Sequence, residues 1–294
     1  DFCLSRGLGD VYKRQGGKTR LLKKYQAQDV LPDDFDVYVE PFLGAGAMFI
    51  WAYEKNPDAK FYLNDSNESI MNIYRVVRDN VEEFISILDD YSAGFLPRDK
   101  EGRKAFYYRL REKHAYEYAD WTATQEAAAL YFLMKTGFNG IWQINKNTNN
   151  RFGTPSGLLN QKDKVYDKEN VREWNKALKH ISLSSVDFGS TPAHITDNTF
   201  VFLDPPYRGS FTQYGVDFDD KLQEGVIHHL NSLTARGAYA MMSNRDVGDG
   251  FFEARQGKNK IVYFDVTYTA GRRKKNSDGT HSAKKAREIL MIGG

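Results

Sequence analysis

Residues Val201-Phe202-Leu203-Asp204-Pro205-Pro206-Tyr207 constrain this chain more than any other stretch. The apolar run, entered from Asn198 and Thr199, reads as a buried strand. Two prolines end it, because a proline nitrogen donates nothing to a strand ladder. In an open α/β sheet, ligands bind beyond the carboxyl ends of the strands. The stretch therefore puts a carboxylate, a rigid turn with a bare carbonyl and an aromatic ring where a ligand binds. A strand-ending Asp-Pro turn is the plain alternative. The set suits one chemistry. An exocyclic amine on a nucleobase is a poor nucleophile, because its lone pair is delocalised into the ring. Asp204 and the Pro205 carbonyl can each accept an amine hydrogen, which favours a more tetrahedral nitrogen with a freer lone pair. Tyr207 offers a face on which the base can stack.

Earlier in the chain, Val37 to Phe49 reads as strand, glycine loop and helix, with Gly44 and Gly46 letting the backbone turn tightly and approach a ligand. The dinucleotide fingerprint is absent, since Phe49 occupies its last glycine position, and no Walker lysine follows. Phe61-Tyr62-Leu63-Asn64-Asp65 is a second strand whose terminal acid lies about 20 residues beyond the loop, the place of a ribose-binding acid. Capping the helix marked by Ile70, Ile73, Tyr74 and Val77 is the competing role for Asp65.

Val81 to Lys135 reads as helices, too many for one crossover, and hence as an inserted helical subdomain. Thr122 and Gln125 form a capping-box signature there, and His114 reads as a surface or helix-face histidine. Thr136 to Gly157 then gathers glycines, amides, aromatics and cations with almost no acid. Amides can read adenine and Arg or Lys can read guanine, while aromatics can wedge into a disrupted base stack. A helix follows from Asp167 to Lys179, then a strand, Ile181–Phe188, ending at Asp187 and Phe188. Beyond Tyr207 come an amphipathic helix (Leu222, Val226, Leu230, Leu233), a buried strand at Ala238–Asn244, and strands at Ile261–Tyr268 and Glu288–Ile292. His228 and His229 read as structural. Between Gly271 and Arg287 seven basic residues face one acid, Asp278, which reads as a loop able to meet phosphates.

Composition narrows the classes. A net charge of +2 does not argue for nucleic acid by itself, so the clustering of charge carries that argument. No apolar run approaches a membrane span, no signal peptide is visible, and the six histidines form no metal-spaced cluster. The single cysteine, Cys3, fits a reducing compartment. Residues 1–15 show no initiating Met and no clear period, and are expected to be foreign or truncated.

Asp204-Pro205-Pro206-Tyr207, Pro41-Phe42-Leu43-Gly44-Ala45-Gly46, Gly16-Gly17-Lys18, and Phe138-Asn139-Gly140 followed by Asn150-Arg151-Phe152-Gly153 and Pro155 together resemble the DNA adenine methylase (Dam) family, in the family's order along the chain. The family's N-terminal aromatic is replaced by Arg14. The resemblance implies an α/β, Rossmann-like methyltransferase sheet carrying a helical target-recognition insert. It implies catalytic residues Asp204, Pro205, Pro206 and Tyr207. It implies an S-adenosyl-L-methionine site of Lys18, Glu40, Pro41, Phe42, Gly44, Gly46, Asp65, Asp187, Phe188 and Asp204, with Asp187 either on the cofactor's adenine or capping a turn. Expected DNA contacts are Phe138, Asn139, Gly140, Asn145, Lys146, Arg151, Arg272, Arg273 and Lys274. The expected domains are a catalytic one (16–66 and 166–294) and the insert (67–165). The implied reaction is methyl transfer to N6 of adenine in double-stranded DNA, with the base flipped out. The resemblance further implies a cytoplasmic monomer with no metal and no membrane, and a short palindromic site such as GATC. Two other readings stand beside it: an N4-cytosine or RNA amino-methyltransferase, and a DNA-binding module with impaired cofactor binding.

Overall fold

A computed structural model describes residues 18–140, 142–191, 193–209, 218–268, 274–275, 281–282 and 284–293. The elements begin with α1 (Lys18–Ala27), β1 (Val37–Glu40), α2 (Ala47–Lys55), β2 (Lys60–Asn64) and α3 (Glu68–Asp79). Next come α4 (Val81–Phe95), α5 (Lys100–Tyr116), α6 (Ala123–Thr136), β3 (Ile144–Asn145), β4 (Arg151–Phe152) and α7 (Lys168–Leu178). The chain continues with β5 (Ser182–Ser184), β6 (Thr199–Leu203), α8 (Asp220–Ala235), β7 (Tyr239–Asp246) and β8 (Lys260–Tyr268). It finishes with β9 (Lys274–Lys275), β10 (His281–Ser282) and β11 (Lys284–Ile292). These elements fall into two compact units. One is Asn67–His180, and the other joins residues 18–66 to 181–209 and 218–293.

The second unit is built on a seven-stranded sheet in the order β5-β2-β1-β6-β7-β11-β8. β5, β2, β1, β6 and β7 run parallel, while β11 is antiparallel to both neighbours. All four residues of β1 and all five of β6 are buried, as an apolar strand covered on both faces must be. On one face α8 brings Val226, Ile227, Leu230 and Leu233 onto Val37, Val39, Val201, Leu203 and Met242. On the other an aromatic layer forms around Phe200, with Phe35, Tyr38, Trp51 and Tyr239 within ring contact. This is the expected Rossmann-like α/β architecture. β1 and β6 lie side by side where the strand order turns back, which is where such sheets bind ligands.

The other unit is helical. α6 is buried throughout Ala127–Met134, and α3, α4 and α5 pack against it. Its entry is the expected capping box: Gln125 N donates to Thr122 Oγ1 at 3.1 Å, and Thr122 N to Gln125 Oε1 at 2.9 Å. α7, which the sequence placed in the catalytic domain, belongs here. Fully buried Trp174 packs on Tyr74 with ring centroids 5.7 Å apart, and Asn175 donates to the Val77 and Arg78 carbonyls at 2.8 Å each. His114 is likewise not at the surface. It is only 1% exposed near the end of α5, because the hairpin of β3 and β4 packs over that helix face. The basic segment after Gly271, expected as a loop, contributes strands: β9 pairs antiparallel with β10, and β11 begins at Lys284.

Candidate active site

Apart from Lys18, the residues expected at the cofactor site sit at the carboxyl ends of the parallel strands. Glu40 ends β1 and Pro41, Phe42, Gly44 and Gly46 follow it, Asp65 follows β2, Asp187 and Phe188 follow β5, and Asp204 follows β6. Gly44 and Gly46 adopt left-handed backbone, with φ of 48° and 71°, and Gly46 opens α2. A side chain at either position would be strained. Gly44 N donates to Asp65 Oδ2 at 2.9 Å, so the loop and the acid form one structure. Helix capping falls to Asn67, whose Oδ1 accepts from Ser69 N at 3.1 Å and Ile70 N at 3.3 Å, and not to Asp65. Asp187 does cap a turn, accepting from Gly189 N at 2.9 Å, and its residue remains exposed. Phe188 stacks on Phe42 with centroids 5.2 Å apart and 26° between planes. His229 meets Phe188 edge-on at 5.7 Å, and burial pushes its imidazole pKa below the ordinary value. Behind the loop, Tyr38 donates to Glu40 Oε2 at 2.8 Å; burial above all, then the Glu40 charge, holds the phenol well above its usual pKa. Lys18 opens α1, but its side chain, like Gly16 and Gly17, lies outside the described residues.

The tetrad is gripped from three elements. β7 aligns with β6 in the register Leu203↔Met242, which brings Ser243 beside Asp204. The fully buried Ser243 donates from Oγ to Asp204 Oδ1 at 2.7 Å. Gln223 of α8 donates to the Pro206 carbonyl at 2.8 Å and accepts from Asn244 Nδ2 at 2.9 Å. Asn244 Oδ1 in turn accepts from Arg208 N at 2.9 Å, closing the frame around the two prolines. The hydroxyl of Tyr207 donates at 2.8 Å to Oε2 of Glu288, a residue of β11 only 3% exposed. Next to the tetrad, Arg208 is bidentate on Asp220 (2.6 and 2.8 Å), reaches Asp249 at 2.5 Å, and lies 4.1 Å from the Phe251 ring centre. These carboxylates hold its guanidinium pKa above the ordinary value, the Asp220 hydrogen bond being the largest cause. Ser243, Gln223, Asn244 and Glu288 carry no motif of their own.

In the helical unit, Phe138–Gly140 is a 3-10 turn beside the β3–β4 hairpin. Phe138 is 46% exposed and Lys146 is exposed, whereas the Asn139 side chain lies outside the described residues. Asn145 is partly committed to its own turn, accepting from Asn147 N at 2.8 Å. Arg151, expected to contact DNA, is engaged within its own unit. Its guanidinium pairs with Glu126, stacks 3.6 Å from the centre of the Tyr118 ring and lies 3.4 Å from His114 Nε2, so it fastens the hairpin to the helices. Arg272 and Arg273 lie outside the described residues, as does the side chain of Lys274. Among the described residues there is no group of three or more His, Cys, Asp or Glu that could hold a metal, and no helix long and apolar enough to cross a membrane.

Comparison with known proteins decides the chemistry. The family profile described as D12 class N6 adenine-specific DNA methyltransferase matches residues 15–250. The chain belongs to that family. Among curated proteins it is 31% identical over 291 residues to the type II methyltransferase M.MjaIII of Methanocaldococcus jannaschii, covering 95% of this chain and 97% of that one. It is 29% identical over 243 residues to the type II methyltransferase M1.LlaDCHI of Lactococcus lactis subsp. cremoris, with 79% of each covered. The DNA adenine methylase of Vibrio cholerae is 26% identical over 245 residues, with 80% of each covered. As a D12 methyltransferase the chain is an adenine-specific DNA-methylating enzyme that uses a methyl donor, and the matched span includes the glycine loop, the hairpin and the Asp204 tetrad.

Proposed function

We propose that this D12 methyltransferase moves a methyl group from S-adenosylmethionine to N6 of an adenine turned out of duplex DNA. The observation that carries the reading is the Asp204 tetrad at the end of β6, set against a glycine loop and an acid that are hydrogen-bonded to each other. The residues suit that donor. A Cβ at Gly44 would meet nothing within 4 Å, so the loop backbone is open to a ligand. Asp65, half-buried at the end of β2, suits ribose hydroxyls, and Asp187 with Phe188 suits an adenine ring. Bound there, the donor supplies an electrophilic methyl on a sulfonium. The chain's own residues supply alignment, which is most of what such a transfer requires.

Inside a duplex the adenine amine is paired, so the base must leave the stack. Asp204 and the Pro205 carbonyl would accept the two amine hydrogens, freeing the nitrogen lone pair. Asp204 also stands where it can take the proton that nitrogen releases once the new bond has formed. Tyr207, held through its hydroxyl by Glu288, would present its ring to the base. On the helical unit, exposed Phe138 and Lys146, with Asn139, Gly140 and Asn145, are the proposed DNA contacts. Arg272, Arg273 and Lys274 are proposed phosphate contacts, whose contribution should fall with salt. The chain is proposed to act as a monomer.

The test is transfer of labelled methyl from S-adenosylmethionine to unmethylated duplex DNA, followed by nucleoside digestion. N6-methyladenine is the expected product; N4-methylcytosine would overturn the assignment of the base. Asp204→Ala should abolish transfer while DNA binding survives, and retained turnover would remove Asp204 from the chemistry.

A further inference from the structure

Asn64 is the last residue of β2, and no motif includes it. It is 0% exposed, and its side chain uses its whole hydrogen-bonding capacity. Nδ2 donates to the Pro41 carbonyl at 3.0 Å and to the Val186 carbonyl at 3.0 Å. Oδ1 accepts from Ser184 Oγ at 2.8 Å and from Val186 N at 3.0 Å. The Asn64 carbonyl also accepts from Leu43 N at 2.8 Å. One residue thus ties together the chain just before the glycine loop, the chain just before Asp187-Phe188, and Asp65, its own neighbour. Those are the three segments from which the donor site is built, and they come from three different strands.

We propose that Asn64 is the positioning residue of the methyl-donor site: it sets the register of the glycine loop, the ribose acid and the Asp187-Phe188 turn relative to one another. The inference rests on S-adenosylmethionine as the donor and adds the residue that shapes its site. A planar amide is required. Its two donors and two acceptor positions diverge in one plane, so it can bridge two loops in opposite directions, which a carboxylate or a hydroxyl cannot do. Buried and fully satisfied, the network is rigid, and losing it leaves the Pro41 and Val186 carbonyls without these donors. Asn64 touches neither the amine-binding tetrad nor the hairpin, so its effect falls on donor binding.

The experiment uses the full chain with Asn64→Leu, which keeps the branching of the side chain and removes its four hydrogen bonds. S-adenosylmethionine and S-adenosylhomocysteine affinities are measured by calorimetry, KM and kcat by transfer to duplex DNA, and DNA affinity without donor by anisotropy. We expect donor Kd and KM to rise by about tenfold or more, with kcat at saturating donor within about threefold and DNA affinity unchanged. Ser184→Ala removes a single bond at the sheet edge and should shift donor affinity the same way by about two- to fivefold. Should Asn64→Leu fail to fold, Ser184→Ala decides the matter. A fall in kcat at unchanged donor KM is the sign of fewer folded molecules and would overturn the positioning role, as would unchanged donor affinity in both variants. Failure of the wild-type chain to bind either compound would instead overturn the choice of donor.

Discussion

Ser243 stands beside Asp204 because β7 runs parallel to β6, one residue beyond the pair Leu203↔Met242. Its hydroxyl fixes the rotation of the carboxylate through Oδ1. A hydrogen bond to a charged group contributes about 1.5–3 kcal/mol, which is about 10- to 100-fold in rate where it matters only for the aim of a reacting group. Ser243→Ala should therefore lower kcat by that factor while KM for donor and DNA stay near wild type. Loss in KM alone would show that Ser243 acts on binding. Arg151 makes the opposite case. Its guanidinium is held by Glu126, Tyr118 and His114, and its side chain is only 18% exposed. Arg151→Met should lower the melting temperature but leave the slope of log affinity against log salt unchanged. A phosphate contact would instead reduce that slope by about one on removal.

At the scale of elements, the β3–β4 hairpin is fastened to α5 and pinched by its own glycine. Tyr107 donates to the Thr154 carbonyl at 2.8 Å, Arg111 to the Gly153 carbonyl at 3.0 Å, and Tyr116 to the Asn147 carbonyl at 2.7 Å. A Cβ at Gly153 would lie 2.4 Å from Asn145 Cβ and 2.9 Å from Thr148 Oγ1. Gly153→Ala must push the strands apart, at a cost of about 1–3 kcal/mol. It should weaken DNA binding while binding at the proposed donor site, in the other unit, stays intact; equal loss of both would mean a global fold defect. The same elements explain what the sequence reveals. The tetrad, the glycine loop and Asp65 are legible because each is a short contiguous pattern at the end of an apolar run, where strand, turn and acid follow one another along the chain. Ser243, Gln223 and Glu288 are not, since they reach the tetrad across separations of 39, 17 and 81 residues that only the strand order and helix packing bring together. Asp65 and Asn67 show the limit of a local rule. The structure gives the cap of α3 to Asn67, through Ser69 N and Ile70 N, and turns Asp65 toward Gly44 N instead. α7 shows another, because its buried Trp174 stripe says that a helix packs but not on which unit.

The molecule as a whole carries two cores, and their responses to acid need not coincide. In the helical unit His114 is buried on α5, with Arg151 at 3.4 Å from Nε2 and the Trp121 ring 6.4 Å away, while Glu126 pairs with that arginine. Burial first, and then the arginine charge, pushes the imidazole down to about 3. Unfolded, the same group titrates near its ordinary value of about 6.5. The native state thus keeps His114 neutral between those values while the unfolded chain binds a proton, so stability present above about pH 6.5 drains away as the pH falls toward 3. The slope is about 1.4 kcal/mol per pH unit, or about 2 kcal/mol between pH 6.5 and pH 5. Carboxylates titrate in the lower part of that window, so the contribution must be isolated by difference. His114 Nδ1 has no hydrogen-bond partner among the described residues, which makes an apolar ring a fair substitute. Urea unfolding of wild type and His114→Phe at about pH 7.5, 6 and 5 should show wild type losing roughly 2 kcal/mol more than the variant across the range. A pH-independent difference would mean that His114 is as basic in the folded protein as in the unfolded chain.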